Sequence, residues 1–365
     1  MGTNYLQINN LHLFIWLGLI FLLSHITETQ RQEIVLQKPV WRSTPFYAVL
    51  VFLPVLLMTV WGRPRSDTYL YLSIYRTLPS SFSAGWDAIV KGDNPGFTLF
   101  GILIKQIFGA NDTAYRLAIA LVHTIPLIVI IRRYSEDYWF SMYVFVAAGN
   151  HLAWMMNGMR QFMAATIIFA ATPWIIQKKY IKTIVVILIA ASFHRTALFM
   201  LPVIFIVQGE VWNWKTILFS IVIVFATFIF SRNSALFDDF ADNVGYSLEA
   251  ARDFGDDGVN PLRVLVSAVP MVLAFMARGK LREENNGVIN ICVNMSIITV
   301  GINLIAMVTS GIMVGRMPIY TSLYNLILLP HVIKTYFEEH LYGFIVFMAV
   351  ILYFLQFVVQ WSLFV

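Results

Sequence analysis

Residues 288–309 read VINICVNMSIITVGINLIAMVT, twenty-two positions without a charged residue or a proline. About twenty apolar residues, at a helical rise of about 1.5 Å each, cross the hydrocarbon layer of a bilayer. This stretch is therefore read as a transmembrane helix. Further apolar runs fall at 5–24, 45–61, 113–131, 138–156, 161–176, 182–193, 196–208, 213–231, 262–277, 317–333 and 341–362. Several are short for a straight crossing and predict tilted helices, hairpins or half-buried ends. The segment 97–108, which follows Pro95–Gly96 and contains Lys105 and Gln106, is read as a short re-entrant or interfacial helix. The run at 5–24 has no preceding Lys or Arg and no small-residue cleavage pattern after it, so it is expected to be the first span.

Composition agrees. The 365 residues are 59% hydrophobic, 15% aromatic and 12% charged, with a mean hydropathy of +0.72. A soluble domain is roughly 45–50% apolar and about 25% charged. A disordered chain would be charged and poor in aromatics. The lone cysteine, Cys292, excludes a disulfide scaffold and carries no redox information. The fold expected is an all-α polytopic bundle, one integral membrane domain over 1–365. Twelve spans would occupy roughly 240 residues and leave about 125 for loops and ends.

Basic clusters at Arg31/Lys38/Arg42, Arg132/Arg133, Lys178/Lys179/Lys182 and Arg278/Lys280/Arg282 sit in short connections. The positive-inside rule puts them in the cytoplasm and both termini outside. Lysine then concentrates inside, whereas the outer side carries ten arginines against Lys91 and Lys105. Arginine forks onto phosphate and carboxylate, while lysine is a point charge. The pattern points to an outer anion, with snorkelling at helix ends as the plainer reading. The two long loops, 62–112 and 232–261, fall on this outer side, where function is expected.

Five segments there carry candidate chemistry. Residues 61–71 hold Arg63, Arg65, Asp67, Tyr69 and Tyr71 beyond the second span; the arginines suit phosphate and Asp67 a proton, or Arg and Asp simply pair at a helix exit. Residues 150–161 place Asn150, Trp154, Asn157 and Gln161 at helical spacing, with Arg160 at the outer mouth. Residues 192–198 wedge His194–Arg195 between two apolar runs; a neutral imidazole beside an arginine can accept a proton, or the histidine only ties two helices together. Residues 311–320 set Arg316 and Tyr320 four apart across a helix start, which favours anions but equally suits an interfacial anchor. The loop Asp238–Asp257 carries seven carboxylates that match no calcium-loop pattern and read as a solvated acidic loop. There is no Walker loop, no His-Glu-x-x-His and no Gly-x-Ser-x-Gly elbow.

The order of five segments resembles the EpsG/Wzy family of exopolysaccharide and O-antigen polymerases. They are Arg65-Ser-Asp67-Thr-Tyr69-Leu-Tyr71, Asn94-Pro95-Gly96-Phe97, Gly158-Met-Arg160-Gln161, Phe193-His194-Arg195-Thr196-Ala197-Leu198, and Arg316-Met-Pro-Ile-Tyr320 leading to Leu329-Pro330. They span residues 60 to 330. Asn94 stands where the family usually has Glu, and Thr196 where it usually has Ser. If that Glu were the proton acceptor, another residue, Asp93 or Asp67, would have to replace it.

The resemblance implies a polysaccharide polymerase of the bacterial cytoplasmic membrane that works at its periplasmic or outer face. Such an enzyme moves a growing glycan from undecaprenyl diphosphate onto a lipid-linked repeat unit, with no cofactor, metal or nucleotide. On that reading Arg160, Arg195 and Arg316 bind the donor diphosphate, His194 positions or deprotonates the acceptor hydroxyl, and Asp67 supports it or is the base. Arg63, Arg65, Asn157 and Gln161 contact substrate. Rim aromatics (Tyr69, Tyr71, Trp86, Trp154, Tyr246, Tyr320) stack on sugars. Partners would be the undecaprenyl-diphosphate-linked oligosaccharide donor and acceptor, the bilayer and a chain-length regulator protein, with no nucleic acid. A lipid-linked oligosaccharide flippase or other transporter, an O-antigen ligase and a membrane acyltransferase are the alternatives.

Overall fold

The computed structural model describes residues 5–35, 38–64, 67–232 and 258–362. Arg65, Tyr246 and the acidic loop Asp238–Asp257 lie outside them. By internal contacts the chain forms two compact units, 1–198 with 343–365, and 199–342.

In the first unit the leading helices are α1 (Asn10–Ser24), α2 (Pro45–Trp61), α3 (Asp67–Thr77), α4 (Phe82–Lys91), α5 (Pro95–Phe108) and α6 (Asp112–Tyr134). There follow α7 (Tyr138–Ala147), α8 (Asn150–Asn157), α9 (Met159–Ala170), α10 (Thr172–Ile176) and α11 (Tyr180–Phe193). Local signals start these helices. Asn9, Thr44, Ser81, Asn111 and Asp137 each accept a backbone N–H of the first turn of the helix they precede, and prolines open α2 and α5.

A β-hairpin joins α1 to α2: β1 (Gln30–Val35) pairs antiparallel with β2 (Lys38–Ser43), Arg31 opposite Arg42. The apolar-run reading left this connection as a loop. Glu33 holds it to α6, accepting from Arg132 Nη2, from Arg31 Nε at 2.9 Å and from Arg42 Nη1 at 3.4 Å. Arg132 foremost, and then Arg31, pull the Glu33 carboxyl down to about 2. At the opposite end of this unit, Leu6 N donates to Trp61 O at 2.9 Å, joining the chain's start to the end of α2.

The second unit holds α12 (Met200–Ile206), α13 (Trp214–Arg232), α14 (Pro261–Met276), α15 (Arg278–Glu284), α16 (Gly287–Val308) and α17 (Asn325–Tyr336). The decisive stretch 288–309 is α16 almost throughout, and most of it is buried. Its polar side chains find partners inside the unit. Asn294 Nδ2 donates to Val207 O and Glu210 O, both at 3.0 Å. Thr299 and Thr321 hydroxyls meet at 2.7 Å, and Asn303 Nδ2 donates to Ser267 Oγ at 3.2 Å. The last helix, α18 (Tyr342–Gln360), lies almost wholly in the first unit.

All twelve apolar runs are largely helical, and most of the described residues are in helices. The described helices include fewer full-length crossings than the twelve expected. Four described helices are long and apolar enough to cross: Asp112–Tyr134, Trp214–Arg232, Gly287–Val308 and Glu339–Gln360. Pro261–Met276 and Arg278–Glu284, bent by 69°, make a fifth if taken together. The run 138–156 breaks at Gly149 (φ +73°) into α7 and α8. The run 317–333 opens with 3-10 turns, and only its second half is α-helix. α5 is the short helix expected; its buried Lys105 donates to the carbonyls of Arg76, at 2.8 Å, and Leu78 at the end of α3. A cation there offsets the partial negative charge of a helix C-terminus.

Candidate functional site

Four of the five sequence segments converge in the first unit. A core of Tyr71, Leu72, Tyr75, Phe97, Tyr115, Ile119, Met159 and Met163 packs α3, α5, α6 and the start of α9 together. Tyr75 and Tyr115 stack with ring centroids 4.0 Å apart. Gly96 permits the start of α5 to meet the end of α11: a Cβ there would lie 2.1 Å from Ser192 Oγ.

Arg160, in the first turn of α9, rests on this aromatic wall. Its Nε donates to Tyr71 Oη at 3.3 Å, and its guanidinium lies over the rings of Tyr71 (5.3 Å) and Phe97 (5.8 Å). With its amide turned to satisfy both ends, Asn94 accepts from Arg160 Nη1 at 2.9 Å and donates to Phe193 O at 3.0 Å. Asn94, the departure from the resembled pattern, thus contacts the arginine directly. An amide keeps the hydrogen bond but leaves the positive charge uncompensated, and no carboxylate pairs with Arg160 among the described residues. A half-buried guanidinium held by aromatic faces and one amide has the chemistry to bind an anion.

Beside it, His194 follows the last residue of α11, and the 3-10 turn Arg195–Phe199 begins at once. His194 Nδ1 and Thr196 Oγ1 are 2.7 Å apart, and the buried Gln161 donates from Nε2 to Thr196 Oγ1 at 3.2 Å. Gln161 is the residue after Arg160, so this polar chain and the guanidinium leave the same helix start. Arg195 is exposed.

The remaining expectations fare unevenly. Asp67 opens α3, half-buried, without an ion pair among the described residues. Arg63 is exposed and shares a small cleft with Arg116, Thr59 and Thr68. The stripe 150/154/157/161 is not one helix face, because Gly158 separates α8 from α9. Asn157 ends α8 with its Oδ1 buried and unpartnered, and Trp154 packs edge-on against His151. Tyr69 and Trp86 are about half exposed, whereas Tyr71 (7%) and Tyr320 (1%) are buried and offer no ring face for stacking on a sugar.

In the second unit Arg316 precedes a 3-10 turn, Met317–Tyr320, rather than a regular α-helix. Arg263 Nη2 donates to Gly315 O, and the two guanidiniums repel each other. A Cβ on Gly315 would lie 2.6 Å from Val259 Cγ2, so this tight turn demands glycine. Arg263 thereby pairs with Arg316 as a second cation, one that sequence reading did not single out.

Arg116 was also missed. It is buried in α6 and donates to Thr59 O at 3.0 Å and Gly62 O at 2.7 Å, capping the end of α2. The Asp112-Thr-Ala-Tyr-Arg116 helix start held the signal, an arginine one turn inside an apolar run. Among the described residues no three His, Cys, Asp or Glu side chains gather as a metal site.

The model of a protein family, described as the EpsG family, matches residues 45–364. No curated protein and no solved structure matches the chain.

Proposed function

The chain belongs to the EpsG family, and from that premise we propose that it is a glycosyltransferase that moves a growing glycan from undecaprenyl diphosphate onto a lipid-linked repeat unit. Membership makes it a multi-pass membrane protein of the polysaccharide-polymerase type. The donor lipid, the outward-facing site and the absence of metal and nucleotide from the reaction are our reading.

One observation carries it: Arg160, a half-buried cation held by Tyr71, Phe97 and Asn94 with no carboxylate on it among the described residues, next to the His194–Thr196–Gln161 chain. The donor's leaving group is an anionic diphosphate. Negative charge grows on it as the anomeric C–O bond breaks, and a preorganised guanidinium stabilises that charge most where water is excluded. The acceptor hydroxyl attacks the anomeric carbon and gives up its proton. We assign that proton to His194, whose Nδ1 lies 2.7 Å from Thr196 Oγ1. Undecaprenyl diphosphate departs on Arg160, with the exposed Arg195 as a further anion ligand; Arg316, in the second unit, is a separate candidate anion ligand. Asp67, with no cationic partner among the described residues, is the alternative base.

The test is incubation of the purified protein with a synthetic undecaprenyl-diphosphate repeat unit, without metal or nucleotide. The expected product is a ladder of lengthened lipid-linked glycans. Translocation without lengthening would make the protein a flippase, and transfer to a lipid A core would make it a ligase.

A further inference from the structure

Between α3 and α5 the chain forms a ten-residue helix, α4 (Phe82–Lys91). At about 1.5 Å per residue it is half the length needed to cross a bilayer. Successive residues step about 100° around a helix axis, so the side chains of α4 fall into arcs. Gly85 and Ile89 form the buried arc. It lies on α5 so closely that a Cβ on Gly85 would be 2.4 Å from Ile102 Cδ1. Next to it runs an apolar arc of Phe82, Trp86 and Val90, which are 43%, 53% and 60% exposed. The Phe82 and Trp86 rings lie 5.5 Å apart along it. Ser83, Asp87 and Lys91 make a polar arc, all exposed, with Lys91 Nζ 3.2 Å from Asp87 Oδ2.

A contiguous exposed apolar row marks an interaction surface, and the chemistry of this one selects its partner. Three side chains present a few hundred Å² at most, less than the about 800 Å² per partner that a specific protein interface buries. A membrane surface asks for no such area. An amphipathic helix lies in it with its apolar side about 5–10 Å deep and its charges in water. Tryptophan, an apolar ring with a polar N–H, concentrates at that level. The elements α4 is tied to have the same character: α5 exposes Leu103, Ile107 and Phe108, and α6, long and apolar enough to cross, exposes Ile125.

We propose that α4 is an interfacial helix: Phe82, Trp86 and Val90 insert into the bilayer surface at the Arg160 end of the first unit, and Asp87 and Lys91 stay in water. Trp86 then grips lipid rather than the sugar face expected of it. From Lys91 the chain runs through Gly92-Asp93 to Asn94, which holds Arg160. Anchoring α4 therefore sets the guanidinium at headgroup depth, the level of the phosphates of a lipid-linked substrate. The inference rests on the family's membrane setting and not on the transfer reaction.

The test uses the full chain in phospholipid nanodiscs, with a nitroxide on one introduced cysteine at a time; Cys292 is buried and should stay unlabelled. Phe82→Cys, Trp86→Cys and Val90→Cys probe the apolar arc, and Ser83→Cys and Asp87→Cys the polar one. All five replace exposed side chains, so the core is untouched. Ile125→Cys on α6 calibrates lipid, and Ala110→Cys, in the turn between α5 and α6, calibrates water. Collisions of each label with oxygen, which dissolves in lipid, are compared with its collisions with a water-soluble nickel chelate. The oxygen-to-nickel ratio on the apolar arc should approach that at Ile125 and exceed that on the polar arc severalfold. Nickel access at all five positions would leave the row in water, open to a sugar. Shielding of the apolar arc from both reagents would put protein on it, and oxygen access at all five would sink the whole helix in lipid. Any of these three results overturns the proposal. None of the measurements reads glycan transfer, so failure of the polymerase assay leaves this result standing, and the reverse.

Discussion

Arg160 makes no ion pair among the described residues, and that sets what its substitution should do. Arg160→Ala removes the proposed donor to the leaving diphosphate, and loss of one such donor costs about 10²–10³-fold in rate. Arg160→Lys keeps the charge but loses the planar fork that spans Tyr71 and Asn94, so it should recover a minor part of the activity. Chain growth measured at matched expression checks both, and near-normal growth in the alanine variant removes Arg160 from the mechanism. Thr196 bridges Gln161 and His194 through one oxygen. Thr196→Val should lower turnover by about tenfold, the equivalent of one hydrogen bond of about 1.4 kcal/mol, and Thr196→Ser should restore it. At this scale the sequence was informative about residue type and poor about partners. Arg160, Gln161, His194 and Thr196 stood out because polar groups beside apolar spans are costly. That Asn94 takes the guanidinium, or that Tyr71 turns inward, depends on how α3, α5 and α9 pack, which no local spacing encodes.

Between elements, breaks decide more than lengths. Gly149 adopts φ +73° at the α7–α8 junction and faces Trp361, so it answers to both backbone and packing. Gly149→Ala should cost about 1–3 kcal/mol and lower the thermal midpoint in detergent, while a glycine introduced at the neighbouring Ala148 should not reproduce that loss. The hairpin β1–β2 offers a separate test through Glu33. Its carboxyl falls from an ordinary 4.5 to about 2 in the folded chain. A lowered acid contributes stability that is complete above pH 4.5 and drains away as pH falls toward 2. Glu33→Gln should therefore be less stable than the parent at neutral pH and should flatten that part of the acid-unfolding curve, modestly because the side chain is partly solvated. Apolar periodicity located the long helices well. It missed the hairpin, whose strands are held by arginines on one glutamate rather than by an alternating apolar face, and it ran through Gly149, since one glycine leaves a run's hydropathy intact.

Across the first unit, charge is sorted by end. Arg31, Arg42 and Arg132 gather on Glu33 at one end, whereas Arg63, Arg116 and Arg160 lie at the other with Asn94 and His194. Sequence reading reached this separation from charge clusters alone, because loops alternate sides whenever apolar runs alternate with connections. It says which residues share an end but not which end faces the cytoplasm; that choice came from the positive-inside rule. A cysteine scan decides it. Cys292 is buried and should stay silent toward a membrane-impermeant maleimide. Ala110 is exposed in the turn between α5 and α6, at the Arg160 end, and Gln32 is exposed on β1 at the hairpin end. If the proposed site faces outward, Ala110→Cys should label in intact cells, and Gln32→Cys should label only after the cytoplasmic membrane is opened. The reverse pattern would put Arg160 on the cytoplasmic side. Lipid-linked units would then be joined before they are flipped, and the reading of an outer-face polymerase would fall although the arginine site itself could stand.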